Sequence, residues 1–168
     1  MSCVWALQFV HVHWGCCEAK INAIRDNYSK GIFSNQFSGS QLITETLIVP
    51  NTQPKKVSTS FATKVGAVYI IEASGYVSDW SDKSDGVDAV WCYAKWRCGE
   101  NGEPWQQLRI DGKGMIESTG RHIPYNPKHI YCIEIPGTGA PFVFHMLDAQ
   151  NSAGDNSGSI KVAVTEKR

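Results

Sequence analysis

The sequence predicts an all-β fold, a β-sandwich or jelly-roll-like domain, for residues 45–168. Short apolar segments recur along this part of the chain, turn residues separate them, and little of it has helical periodicity. Many short strands spaced by turns are typical of antiparallel sandwiches. Residues 1–44 show no such pattern, and we treat them as an N-terminal extension of unclear role.

The predicted strands follow from alternation, β-branched content and bordering turn residues. Pro50 ends the first strand, and the third is apolar and β-branched, as a buried strand should be. The residues Asp-Gly-Lys-Gly at 111–114 are a strong turn signal. In chain order the predicted strands are 46–49, 56–62, 67–73, 87–96, 105–110, 129–135, 141–147 and 160–164.

The last two predicted strands border a loop of roughly ten residues, which is long for a hairpin connection of the usual two to five. The loop contains Asp148, Asp155 and Asn156 together with several serines. Calcium takes about six to eight oxygens from such groups. The order does not fit an EF-hand. Because the same residue types are common in turns, a solvated loop is the competing interpretation.

Residues 147–159, Leu-Asp-Ala-Gln-Asn-Ser-Ala-Gly-Asp-Asn-Ser-Gly-Ser, resemble the C-terminal motif of the PA-I galactophilic lectin family. In that family an Asp, a Gly-containing turn and a Thr precede Gly-Asn-Asn-Ser-Gly-Ser, and the match runs without a gap. Gly-Tyr-Val-Ser at 75–78 and Ile-Glu-Ser-Thr-Gly at 116–120 resemble two further family segments. The resemblance covers residues 45–168 and implies a small calcium-dependent, galactose-binding lectin domain.

The resemblance implies a Ca2+ site built from two loops. Asp148, Asp155 and Asn156 would give side-chain oxygens, whereas Asp79 and Ser152 would give backbone carbonyls. These ligands leave roughly two places in the usual calcium shell. Two neighbouring sugar hydroxyls fill those places in the family. We therefore expect the ion to bridge loop 79–88 to loop 148–156 and to bind a sugar diol directly.

Sugar contacts follow from the same resemblance. Carboxylates accept strong hydrogen bonds from sugar hydroxyls. The family also grips the sugar with a His and a Gln, which residues 80–88 lack, and it has Asn in place of Asp155. The sugar preference therefore stays open. The predicted sugar-binding residues are Asp148, Ala149, Ser152, Asp155, Trp80 and Asp82.

The tryptophans Trp91, Trp96 and Trp105 are interpreted mainly as core residues, since most tryptophans of a sandwich are buried or half-buried. Trp80 is the exception, because it lies in the loop beside the predicted metal and is placed to stack on a sugar face.

Composition argues against several other functions. The 16 Lys and Arg balance the 16 Asp and Glu, and no basic run suggests nucleic-acid binding. No apolar run approaches the roughly 20 residues that span a membrane. His122, His129 and His145 permit a hydrolase interpretation, but no hydrolase or metalloprotease motif accompanies them. The expected protein is therefore not an enzyme.

Two alternatives to the lectin interpretation remain. In the first, calcium stabilises an adhesion or interaction domain that binds no sugar. The second, less favoured, is an enzyme on a jelly roll. A lectin with one shallow site gains avidity through multivalency, which favours a homo-oligomer, although the sequence shows no interface.

Cysteine usage leaves the cellular compartment open. Cys92 and Cys98 would lie too far apart for a disulfide on a fully extended strand, whereas a bulge or turn would bring them within reach. The N-terminus lacks the early Lys or Arg of a signal peptide. Residues 11–17 contain two His and two Cys, but their spacing fits no standard zinc pattern, so we favour an alternating strand or an extension.

Overall fold

The computed structural model describes residues 43–52, 55–79, 86–147 and 155–168. All of them belong to one unit of the chain, Leu42–Arg168. The N-terminal interpretations lie outside the described residues: the favoured alternating strand or extension, and the less favoured signal peptide and metal site. The proposed boundary between residues 44 and 45 stays a prediction.

The described part contains ten strands and two short helices. No helix within it is long and apolar enough to cross a membrane. The helices are α1 (Lys95–Cys98) and α2 (Met115–Thr119). The strands are β1 (Thr44–Pro50), β2 (Val57–Ser58), β3 (Val68–Ser74), β4 (Tyr76–Ser78), β5 (Val87–Asp88), β6 (Leu108–Ile110), β7 (Lys113–Gly114), β8 (Ile130–Pro136), β9 (Val143–Met146) and β10 (Ser157–Lys167).

The strands form two antiparallel sheets. The larger sheet has the order β5-β4-β10-β3-β8, and β1 also pairs with β10, outside this order. The smaller sheet has the order β2-β9-β6-β7. β10 is the centre of the larger sheet: Val162 lies opposite Leu47 of β1 and Ala73 of β3, whereas Ser157 lies opposite Ser78 of β4. The all-β prediction is confirmed.

The core lies between faces that the alternating pattern selects. Along β10, Ile160, Val162 and Val164 are buried while the residues between them are more exposed. Phe144 and Met146 of β9, from the smaller sheet, belong to the same hydrophobic cluster. Burial of this apolar surface is the main favourable term for such a domain.

The turn predicted at residues 111–114 is confirmed. Ile110 pairs with Lys113, so Asp111 and Gly112 form a two-residue hairpin loop between β6 and β7. Both residues have positive φ, 51° and 84°. This is the conformation that Asp-Gly favours in a type I′ turn.

The strand predicted over residues 87–96 is wrong. β5 ends at Asp88, whose Oδ1 accepts hydrogen bonds from the backbone N–H groups of Val90 and Trp91 at 2.8 and 2.6 Å. The chain therefore reverses, and α1 follows. Because the chain between Cys92 and Cys98 turns into α1 instead of continuing as an extended strand, their Cα atoms lie 6.1 Å apart and the two residues form a disulfide. The alternation of apolar and polar residues did not reveal that the Asp88 side chain hydrogen-bonds to the backbone two and three residues later.

The two strands around the oxygen-rich loop were expected to resemble a hairpin, and that expectation is also wrong. β9 pairs with β2 and β6 in the smaller sheet, whereas β10 belongs to the larger sheet. Residues 147–156 therefore connect one sheet to the other. The usual length of a hairpin connection therefore does not apply to this loop.

Matched isoleucine substitutions test the assignment of inner and outer positions. Ile71 is fully buried on β3, whereas Ile48 on β1 is 56% exposed. We expect Ile71→Ala to lower the free energy of unfolding by about 2–5 kcal/mol, and Ile48→Ala by less than about 1 kcal/mol. Urea denaturation measures both. Equal losses would contradict the assignment.

Candidate functional site

A buried carboxylate, Asp79, lies at the point where β4 ends. The residue is only 6% exposed. Its Oδ1 accepts a hydrogen bond from Asn51 Nδ2 at 2.8 Å, and its Oδ2 accepts one from Gln107 Nε2 at 3.0 Å. Because burying a charged group is costly unless it is hydrogen-bonded, these two amides stabilise the carboxylate and fix its orientation.

Asn51 joins the ends of three strands. It follows β1, and its Nδ2 also donates to the carbonyl of Ser78 at 3.1 Å. Its backbone N–H donates to the carbonyl of Gly158 at 3.1 Å, and its own carbonyl accepts from Asn156 Nδ2 at 3.2 Å. We call Asn51, Ser78, Asp79, Gln107 and Asn156 the Asp79 network.

Gln107 connects the Asp79 network to the smaller sheet. Its side chain donates to Asp79, and its carbonyl accepts a hydrogen bond from the backbone N–H of Leu147 at 2.8 Å. Leu147 precedes the loop that follows β9, and Asn156 lies where that loop returns to β10. Both ends of the loop are therefore held near Asp79, each through one intervening residue.

The structure brings two predicted calcium ligands together. Asp79 and Asn156 both hydrogen-bond to Asn51 and are buried, whereas the neighbouring Asp155 is exposed. The other predicted site residues lie outside the described residues: Trp80, Asp82, Asp148, Ala149 and Ser152. The full ligand set therefore stays a prediction.

The chemistry of the Asp79 network suits a hard cation, because its acceptors are carboxylate, amide and carbonyl oxygens. Asn51 Oδ1 is buried and has no hydrogen-bond partner among the described residues. Within the same residues, no group of three or more His, Cys, Asp or Glu is placed to bind a metal. A calcium shell here needs the oxygens of residues 148–154 as well.

A second buried carboxylate, Asp88, is fully enclosed at the end of β5. Its Oδ2 accepts a hydrogen bond from the Tyr131 hydroxyl at 2.6 Å and lies 3.0 Å from His129 Nδ1. Burial, and then the negative charge of Asp88, raise the pKa of the Tyr131 phenol, so it stays a protonated donor.

The three histidines of the hydrolase interpretation have different neighbours. His129 contacts Asp88, and the ring of His122 packs edge-on against Trp91. His145 lies on β9 opposite Arg109. Burial, followed by the positive charges of Lys56 and Arg109, lowers the pKa of His145.

The tryptophans of the described residues differ in how exposed they are. Trp91 is half-buried and donates from Nε1 to the carbonyl of Ile123 at 3.0 Å, and Trp105 is half-buried as well. Trp96 on α1 is 60% exposed, so the expectation of a core position is wrong for this residue.

Sequence reasoning missed Asn51, Gln107 and Asp88. Gln107 adjoins a strand of alternating apolar residues, and Asn51 follows a strand-ending proline. A polar residue beside an apolar strand was the one available signal for Asn51 and Gln107. Each of them lies 28 residues from Asp79, its hydrogen-bond partner. Local patterning does not report contacts of that range.

Comparison with known proteins identifies no family. No family model matches the chain, and no curated protein matches it. Among solved structures, the fold is similar to the EclA N-terminal domain, described as a PllA-like lectin, with a TM-score of 0.45 and 17% identity. The similarity covers 77% of this chain and 100% of that chain. At this identity it concerns the fold and no individual site residue.

A double-mutant cycle tests the Asp79 network. Gln107→Ala removes one of the two amide donors of a buried carboxylate, so we expect it to lower the free energy of unfolding by about 2–3 kcal/mol. In an Asp79→Ala background the same substitution should cost at least about 1 kcal/mol less, because its partner is gone. Urea denaturation of the four proteins measures this coupling. An equal cost in both backgrounds would contradict the role given to Gln107.

Proposed function

We propose that this protein is a calcium-dependent carbohydrate-binding protein of the galactose-binding type, with no enzymatic activity. One observation carries the proposal: both ends of the loop at 148–154 are held near Asp79, through Gln107 on one side and Asn51 on the other. Loops 79–88 and 148–156 contain all the predicted ligands, and both loops thus begin close to Asp79.

The resemblance of residues 147–159 to the PA-I lectin motif supplies the ligand set. Asp148, Asp155 and Asn156 would hold Ca2+ through side-chain oxygens, and Asp79 and Ser152 through backbone carbonyls. When bound, the ion supplies a positive centre with open positions for two vicinal hydroxyls. Gln107 and Asn51 orient Asp79, so its carbonyl belongs to a rigid part of the chain.

The sugar would also contact the protein directly. In the proposed site, Asp148 and Asp155 would accept hydrogen bonds from its hydroxyls, and the N–H of Ala149 would donate one. Ser152, Trp80 and Asp82 complete the proposed contacts. Since residues 80–88 contain no His or Gln, the affinity for galactose over other sugars depends on Trp80 and Asp82.

Isothermal titration calorimetry with galactose tests the proposal. With calcium we expect the binding heat of the calcium site, and EDTA should abolish the heat of that site. Loss of a residue that only hydrogen-bonds to a metal ligand lowers metal affinity roughly 10- to 100-fold. Asn156→Ala removes a proposed ligand itself, so we expect its calcium affinity to fall by at least as much. The matched control is Asn101→Ala, at an exposed amide in the loop after α1.

The outcomes separate the competing functions. Equal binding heat in calcium and in EDTA, or an Asn156→Ala variant that behaves as Asn101→Ala does, would contradict the proposed site. If calcium raises the melting temperature but no sugar of a glycan array binds, the result would favour an interaction domain in which calcium has a structural role. A homo-oligomer, which multivalency favours, is tested by sedimentation of the same samples.

A further inference from the structure

A cluster of aromatic rings surrounds His129. Its ring centroid lies 4.8 Å from that of Tyr93, 5.7 Å from that of Tyr76 and 6.0 Å from that of Tyr125. Trp91 extends the cluster, 6.2 Å from Tyr125. These spacings are those of attractive aromatic pairs. We call the five residues Tyr76, Trp91, Tyr93, Tyr125 and His129 the aromatic surface.

The aromatic surface is open to solvent. Tyr76 is 62% exposed and Tyr125 is 40% exposed, while the other three rings are partly buried. A single exposed aromatic side chain is ordinary, but a contiguous group marks a binding site more often. The five residues come from β4, the segment between β5 and α1, and the segment before β8, so the fold assembles them from distant parts of the sequence.

His129 is held rigidly within the aromatic surface. Its φ is 53°, a conformation that a non-glycine residue keeps only when its surroundings enforce it, often at a functional site. Its Nδ1 lies 3.0 Å from Asp88 Oδ2. Because a carboxylate oxygen only accepts, Nδ1 donates the hydrogen of this bond.

Tyrosine hydroxyls lie at the edge of these rings. The charge of Asp88 is fully buried beneath them. Burial, and then the charge of Asp88, raise the pKa of Tyr125, so its hydroxyl is a protonated donor at neutral pH. Flat apolar rings with hydroxyl groups at their edge match a pyranose, whose C–H face is apolar and whose rim carries hydroxyls.

Two other uses of His129 fit less well. A hydrolase would need a nucleophile, but no serine, threonine or cysteine of the described residues hydrogen-bonds to His129. A metal centre would need further ligands, and the same residues place no third His, Cys, Asp or Glu there. The Asp88–His129 pair therefore orders a binding surface.

The aromatic surface adjoins the loop of the proposed calcium site. Tyr76 precedes Asp79 by three residues, about 10 Å of extended chain. Tyr93 packs against Gly86, where an added Cβ would collide with the Tyr93 hydroxyl. Gly86 ends the loop that begins after Asp79.

We propose that the aromatic surface is a second saccharide subsite, which stacks on the C–H face of the pyranose next to the calcium-bound one. This inference rests on the proposed function for the identity of the first sugar. The second subsite needs no metal, so stacking persists when calcium is removed. The preferred ligand is thus a disaccharide or a longer glycan.

NMR of the full chain with labelled tyrosine rings and asparagine side-chain amides tests the inference. The probes are galactose and glucose, each at high concentration, in calcium and in EDTA. We expect the Tyr76 and Tyr125 rings to shift in both buffers and the Asn156 amide to shift only with calcium. Tyrosine rings that neither sugar moves in either buffer would overturn the second subsite. An Asn156 amide that sugar leaves unchanged in calcium would instead count against the proposed function.

Calorimetry with lactose and galactose in calcium adds a quantitative test. Tyr76→Ala should lower lactose affinity roughly two- to tenfold, the value of one aromatic contact, and leave galactose affinity unchanged. Tyr76→Phe keeps the ring and should bind both sugars normally. Trp96→Ala removes an equally exposed aromatic side chain outside the aromatic surface and serves as the control. Unchanged lactose affinity in Tyr76→Ala would overturn the inference.

Discussion

The constraint on which this structure depends is the burial of the Asp79 carboxylate. A buried negative charge is stable only when hydrogen-bond donors surround it. Among the described residues, its donors include Asn51, which follows a strand of the larger sheet, and Gln107, which precedes a strand of the smaller sheet. Satisfying one carboxylate therefore joins the two sheets at the end where loops 79–88 and 148–156 begin.

The second buried carboxylate has a comparable role at the other end of the β4–β5 pair. Asp88 lies opposite Tyr76, and it orders the backbone of Val90 and Trp91 as well as His129. The short β4–β5 ladder thus has a buried aspartate at each end. One holds the loops of the proposed calcium site, and the other holds the aromatic surface. A glycan that spans both would use the whole ladder.

The sequence was informative where local chemistry decides structure. Asp-Gly at 111–112 predicted the hairpin turn, and alternation predicted the buried positions of β10. Sheet membership could not be predicted in this way, since an alternating strand pairs equally well in either sheet. For the same reason β9 and β10 were expected to adjoin. Asn51 and Gln107 were missed because their roles come from contacts between distant segments, and the aromatic surface was missed because its rings come from three such segments.

A crystal structure grown with calcium and galactose is the most direct test of the central claim, that the Asp79 network positions two loops around a sugar-binding ion. The account predicts one calcium within about 2.3–2.6 Å of the Asp79 carbonyl and the Asn156 side-chain oxygen, with two vicinal sugar hydroxyls in the same shell. An ion that binds these loops with only protein and water oxygens would contradict sugar chelation. Loops that bind no ion at saturating calcium would contradict the site itself.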